Sequence, residues 1–172
     1  MRVGNVVLES RQIGCETGHG VGRTLLADMY RKYYGGALPE ILLTQRGKPY
    51  FASGTPHFSI THTKRHVFCA LSETPIGIDA EELDRDIDLR LAEKILSPGE
   101  MAQYLAAQDK RIALLTFWVL KEAAAKCTGE GLHGYPKDTD FSLEDPRVTQ
   151  QDGCVLAVIE GEAFGMQFLT VQ

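Results

Sequence analysis

Two short stretches carry residue types suited to metal or phosphate chemistry: IGIDAEE at 76–82 and FWVLKEAAAK at 117–126. In an extended segment, residues i and i+2 project to the same side, so Asp79 and Glu81 aim two carboxylates at one point while Ala80 faces away. Like charges held that close repel unless a cation compensates them. A hard divalent ion with oxygen ligands, Mg²⁺ above all, is the natural partner. The same acids also begin the polar run EELDRDID, and spacing alone does not separate a ligand pair from a solvated face. Glu122 weighs on the first side. It follows the apolar run IALLTFWVL at 112–120, where a carboxylate costs free energy unless it is paired. Trp118, Glu122 and Lys126 share a helical face. An ordinary i,i+4 pair there would contribute about 0.2–0.5 kcal/mol. If that helix packs on the strand carrying Asp79, three carboxylates converge. Mg²⁺ held by few protein oxygens usually also takes substrate phosphates, which require cations nearby, and Lys126 lies one turn further along.

Other candidates lie upstream. Lys48, in RGKPY, sits between a glycine and a proline, which turn and stiffen its backbone. Thr61, His62 and Thr63 form a donor-rich end of a strand, suited to a phosphate, although a lone histidine is more often a structural hydrogen-bonder. Arg23 is expected to begin the first helix, where backbone N–H groups favour anions. A zinc reading of His57, His62, His66 and Cys69 fails on spacing, and strand pairing would splay these residues over both faces. Tyr30, Tyr33 and Tyr34 read as packing residues rather than as a base-stacking platform.

The elements that must position these residues belong to a soluble globular chain. It has 172 residues, of which 24% are charged and 44% hydrophobic. That length fits one compact unit, or two small halves in close contact. A formal charge of −5 argues against a duplex-coating nucleic-acid binder but not against a local basic pocket. No segment reads as a secretion signal or membrane span, and the four cysteines form no CxxC pair, so a reducing cytoplasmic location is expected.

Helical spacing runs over 21–36, followed by a strand, a turn at Gly47 and an extended piece in EILLTQRGKPYF. HFSITH and HVFCALSE read as a strand pair around Thr63, Lys64 and Arg65, and IGIDAEE as a further strand. DLRLAEKIL reads as helical, and SPGE at 97–100 as a capping box opening a helix to about Ala107. A long buried helix is expected over 110–127, ended by Gly129. FSL near 141, GCVLAVIE and FGMQFLTV return to strand pattern. The fold class is α+β, with no internal repeat evident in the sequence.

GKPYF, HFSITHT, IGIDAEE, ILSPGE and FWVLKEAAAKCTGEGL stand in an order and rough spacing that resembles the 4'-phosphopantetheinyl transferases of the surfactin-synthetase-activator type, over about residues 22–135. The resemblance implies a pseudo-dimer of two related α/β lobes, about 1–74 and 75–172, each a helix packed on an antiparallel sheet, and a monomer with its site between them. It implies transfer of the phosphopantetheine arm of coenzyme A to a serine of an apo carrier protein, releasing adenosine 3',5'-bisphosphate. Carried onto matching positions, Asp79, Glu81 and Glu122 would bind Mg²⁺, and Lys126 would neutralise phosphate charge. Lys48, Thr61 and His62 would face the nucleotide end, with His62 towards the 3'-phosphate, and Arg23 would be a further basic contact. Glu122 is the general base by resemblance, though metal binding would weaken it, and a metal-bound water is the alternative. The family's usual serine before this histidine is Thr61 here, and the lead before Arg23 is short. Two other readings stand beside transfer. One is a catalytically silent relative that binds coenzyme A or a carrier protein. The other is a metal-assisted hydrolase of nucleotide diphosphates, which would leave GKP and the TH element without a role.

Overall fold

A computed structural model describes residues 2–3, 6–131 and 139–161 of the chain. Strands β1 (Arg2–Val3), β2 (Val6–Gln12), β5 (His57–His62) and β6 (His66–Ser72) form an antiparallel sheet in the order β1-β2-β6-β5. Helix α1 (Gly18–Tyr33) lies on it. Val21, Leu25, Leu26 and Met29 recur at helical spacing and pack with Val7, Phe58, Val67 and Leu71. The Thr17 side chain caps this helix by accepting from the Gly20 N–H at 3.2 Å. Strands β3 (Ile41–Leu43) and β4 (Pro49–Phe51) make a separate hairpin whose turn passes through Gly47 at φ +84°.

The second half is built around β7 (Ile76–Glu82), which pairs with β9 (Cys154–Glu160), itself paired with β8 (Val148–Gln151). After β7 come a short 3₁₀ turn, α2 (Ala92–Ile95), α3 (Pro98–Ala106) and α4 (Lys110–Thr128). Ser97 and Glu100 form the expected capping box, and Gly129 ends α4 in a left-handed conformation at φ +75°.

β7 is buried on both faces although three of its seven residues are acidic, so its acids need partners within the fold. Ile76, Ile78 and Ala80 pack with Val6, Leu8, Phe68 and Ala70 of the first sheet and with Cys154 and Leu156 of the second. One apolar cluster thus closes the seam between the two sheets. The Ser59 hydroxyl on β5 reinforces the seam by accepting from the Ile78 N–H at 3.1 Å. The opposite face of β7 presents Gly77, Asp79 and Glu81 to α4. A Cβ at Gly77 would lie 2.0 Å from the Ala123 carbonyl oxygen and 2.3 Å from the Cys127 nitrogen. Glycine therefore lets the helix backbone rest on the strand backbone.

Several expectations are corrected. β2, between β1 and β6 in the first sheet, is unanticipated, because VVLESRQ buries only its first half and shows no clean alternation. α1 starts at Gly18 rather than Val21, since Thr17 supplies the cap. The helical pattern of DLRLAEKIL breaks into the 3₁₀ turn and the single turn of α2. Phe141 is buried, yet its segment is irregular and gives its N–H to Glu100 instead of to a strand. The strand expected in FGMQFLTV lies outside the described residues.

Gly77→Ala is expected to destabilise the fold by about 3 kcal/mol, because two backbones would have to separate. Gly22→Ala, whose added Cβ would meet side chains and no backbone, Ile60 at 3.1 Å and Val67 at 3.5 Å, is expected to stay within about 1 kcal/mol of wild type. Urea denaturation of both variants checks the contrast.

Candidate active site

Asp79 is the centre of the site. It is buried, and its Oδ1 accepts from Lys126 Nζ at 2.6 Å and from the Thr61 hydroxyl at 3.0 Å. Lys126 Nζ also reaches Thr61 Oγ1 at 3.4 Å. Residues from β5, β7 and α4 thus meet at one carboxylate, on the seam between the sheets. The other oxygen, Oδ2, is buried with no hydrogen-bond partner among the described residues. Burial raises the Asp79 carboxyl above its ordinary range, against the opposing pull of Lys126 and Thr61.

Glu81 lies two residues on, half-buried on the same face of β7. Its Oε1 is paired with the Arg85 guanidinium, and it also accepts from the Trp118 side chain. Burial raises its carboxyl, and the charge of Asp79 adds to the shift, while Arg85 opposes it. Glu122 is half-buried one turn before Lys126. Burial first, and then the charge of Asp79, raise its carboxyl, while Lys126 and Arg85 lower it. Glu81 and Glu122 therefore both feel the charge of Asp79. Among the described residues, however, no three His, Cys, Asp or Glu side chains form a ready cage for a metal ion. Asp79 and Glu81 are turned instead towards side-chain cations.

Glu122 and Lys126 line a cleft of about 280 Å³, together with Arg46, Lys48, Ser59 and Gly129. Lys48 closes the C-terminal end of α4, donating to the Cys127 carbonyl at 2.5 Å. Gly129 leaves room for its stem, since a Cβ there would lie 2.8 Å from Lys48 Cδ. Burial lowers the Lys48 ammonium from its usual value. A second hollow of about 500 Å³ shares the Arg46 and Lys48 wall and continues past Tyr50, His57 and Glu130. This local concentration of cations contrasts with the chain's overall charge of −5.

The sequence-expected residues do not all meet. Thr61, Asp79, Glu122 and Lys126 come together, and Lys48 joins them across the cleft. His62 is exposed at the end of β5, against Gly18, and lines a separate open groove of about 710 Å³ with Lys64, Glu81 and Arg85. Arg23 is exposed on α1 beyond its first turn, not at the helix start, so the argument from free N–H groups does not apply to it.

Sequence reasoning missed the partner of Lys121. This lysine is buried and ion-paired with Glu100 at 2.8 Å, and it donates to the Thr139 carbonyl at 2.9 Å. Glu100 also accepts from the Ser97 N–H at 2.9 Å and the Phe141 N–H at 3.1 Å. The first lysine of KEAAAK thus fastens α4 to α3, while Glu122 and Lys126 face the cleft. The capping-box glutamate was the available signal; its second role depends on tertiary contact. Lys121→Met is expected to cost about 3–5 kcal/mol, because Glu100 would keep a buried charge without its partner. Adding Glu100→Gln should recover part of that loss, and Lys94→Met, at an exposed position, should change stability by under about 0.5 kcal/mol. Chemical denaturation measures all three.

Comparison with known proteins places these features in context. The profile of the 4'-phosphopantetheinyl transferase superfamily matches residues 75–164. The chain is 30% identical over 140 residues to the 4'-phosphopantetheinyl transferase psf-1 of Bacillus pumilus, covering 75% of this chain and 58% of that one. It is 36% identical over 101 residues to the 4'-phosphopantetheinyl transferase Sfp of Bacillus subtilis strain 168, covering 58% and 42%. It is also 36% identical over 97 residues to the 4'-phosphopantetheinyl transferase AcpT of Salmonella typhi, covering 54% and 50%. The chain spans about half the length of the curated relatives it matches.

Proposed function

The chain belongs to the 4'-phosphopantetheinyl transferase superfamily, and from that premise we propose that it moves the phosphopantetheine arm of coenzyme A onto a serine of an apo acyl or peptidyl carrier protein. The observation that carries this reading is the Thr61–Asp79–Lys126 cluster, with its unpartnered Asp79 Oδ2, beside a cleft lined by Glu122 and cations. An acid this deep is expensive unless it has work or a partner for both oxygens.

The donor set fits Mg²⁺. Asp79, Glu81 and Glu122 are the residues that would hold it, and the orphaned Asp79 oxygen supports the fit. When bound, the ion would neutralise charge on the coenzyme A diphosphate. The chain's own groups act around it. Lys126 lies close enough to Asp79 to reach a phosphate oxygen at the same point, and Arg46 and Lys48 make the cleft wall attractive to a polyanion. The carrier serine oxygen forms the new bond to phosphorus. The diphosphate P–O bond breaks, adenosine 3',5'-bisphosphate leaves, and the serine proton goes to a base. Glu122, with proton affinity raised by burial and by Asp79, is suited to receive it.

The helix-on-sheet construction of each half, with the acid cluster at the seam, supports a pseudo-dimer of lobes 1–74 and 75–172 acting as a monomer. A cytoplasmic location accompanies this reading. Among the described residues, no helix is long and apolar enough to cross a membrane.

Intact-mass spectrometry of several apo carrier proteins, incubated with the protein, coenzyme A and MgCl₂, tests the proposal. A phosphopantetheine mass gain is expected. Asp79→Asn and Glu122→Gln should each lower its rate by about 10² or more, and EDTA should abolish it. Coenzyme A binding without mass gain on any carrier would favour the silent binding reading instead. Absence of coenzyme A binding would sink both.

A further inference from the structure

The acids of the site carry more compensation than their hydrogen bonds alone suggest. Asp79 holds Lys126 at 2.6 Å, and Glu81 holds Arg85, which follows it by four residues on the chain segment leaving β7. Both cations are tethered from the accessible side, with the Lys126 side chain 34% exposed and that of Arg85 40% exposed. Both also act on Glu122, lowering its carboxyl against the effect of burial. A buried Asp79 whose charge acts on both Glu81 and Glu122 would be repelled by them more strongly without these two groups. The cations thus perform in side-chain form the neutralisation that a divalent ion would perform.

The two forms of neutralisation exclude each other at Asp79. Mg²⁺ binds oxygen ligands at about 2.0–2.1 Å and demands a near-octahedral arrangement. An ammonium already 2.6 Å from the same carboxylate is a like charge in the ion's path. Asp79 Oδ2 is the exception: it is buried without a donor, and it leaves an oxygen free for the ion once the cations on the accessible side have moved.

We propose that Lys126 and Arg85 are resident counter-cations of this site, which a hard divalent ion displaces on entering. Arg85, marked by no motif in the sequence, is thereby a positioning residue that holds Glu81 ready. The inference rests on the metal-binding reading of Asp79, Glu81 and Glu122. Its consequence is directional. Lys126 lines the cleft as well as touching Asp79, so displacement from the carboxylate delivers its charge to an anion in that cleft. Metal entry and anion binding then favour each other through one lysine, and the coupling is reciprocal.

The test uses the whole chain and Mn²⁺ alone, titrated with electron paramagnetic resonance as the readout. Lys126→Gln and Arg85→Gln are each expected to bind Mn²⁺ about tenfold more tightly than wild type, because a competing cation is gone. Arg85→Lys should restore affinity towards wild type. Arg90→Gln, which removes an exposed cation paired with Asp88, should leave it unchanged. In the unmodified protein, amine-reactive labelling of Lys126, read by peptide mass spectrometry, should rise when Mg²⁺ is added. Equal or weaker Mn²⁺ binding by the folded Gln variants would overturn the exchange, as would labelling of Lys126 that falls or stays constant with Mg²⁺. No Mn²⁺ binding by wild type or any variant would instead overturn the metal reading beneath it.

Discussion

The contact on which the site depends is that of α4 with β7 at Gly77, where two backbones meet without an intervening side chain. Side-chain packing ordinarily keeps a helix and a sheet well apart. Here the missing Cβ brings Glu122 and Lys126 within reach of a strand whose own side chains are short. At a larger spacing, Lys126 would not touch Asp79 at hydrogen-bond distance, and Trp118 would not reach Glu81. The apolar faces on either side hold the contact shut. Leu114, Leu115, Phe117, Val119, Leu120 and Ala123 bury α4 against its own layer, while Ile76, Ile78 and Ala80 bury the back of β7 against the first sheet.

That geometry makes a seam the site of the polar chemistry. Thr61 comes from β5 of one sheet, Asp79 from β7 of the other, and Lys126 from the helix above. A buried carboxylate in the middle of one apolar layer would be hard to solvate or reach. At a seam it keeps a cleft on one side while its backbone remains fully paired in the β7–β9 ladder. The conflict between burial and charge is settled locally by Lys126 and Arg85, and structurally by the Lys121–Glu100 pair, which anchors the same helix from its other side.

Much of this was legible in the sequence where a local rule governs it. The capping box at Ser97, the Gly129 terminus, the β5–β6 pair and the alternation of Asp79 and Glu81 about Ala80 follow from short-range chemistry, and the structure agrees. Helical spacing also put Glu122 and Lys126 on one face. Failures occur where distant contacts decide. β2 is a central strand because β1 and β6 flank it, not because VVLESRQ has a strong pattern of its own. DLRLAEKIL has helical periodicity but is too interrupted to keep one axis, and Phe141 packs into the core around α4 and β9 without being part of a strand, its N–H held by Glu100. The cations opposite Asp79 and Glu81 were visible as residues, yet nothing local shows that both acids turn towards them. His62 and Lys48 were expected at one nucleotide end, and they line different hollows because β5 carries its histidine away towards α1.

The pairing of β7 with β9 also bears on how the chain is made. During synthesis, Thr61, Asp79 and Lys126 all leave the ribosome well before Cys154–Glu160, the strand that completes the β7 ladder. Until then β7 has its acids and the start of its helix but an unpaired edge and an apolar back, the surfaces most prone to mispair. Translation thus yields the ligands early and their fixed geometry late. The nascent chain passes through an interval in which a strand rich in isoleucine must be kept from neighbours other than its own.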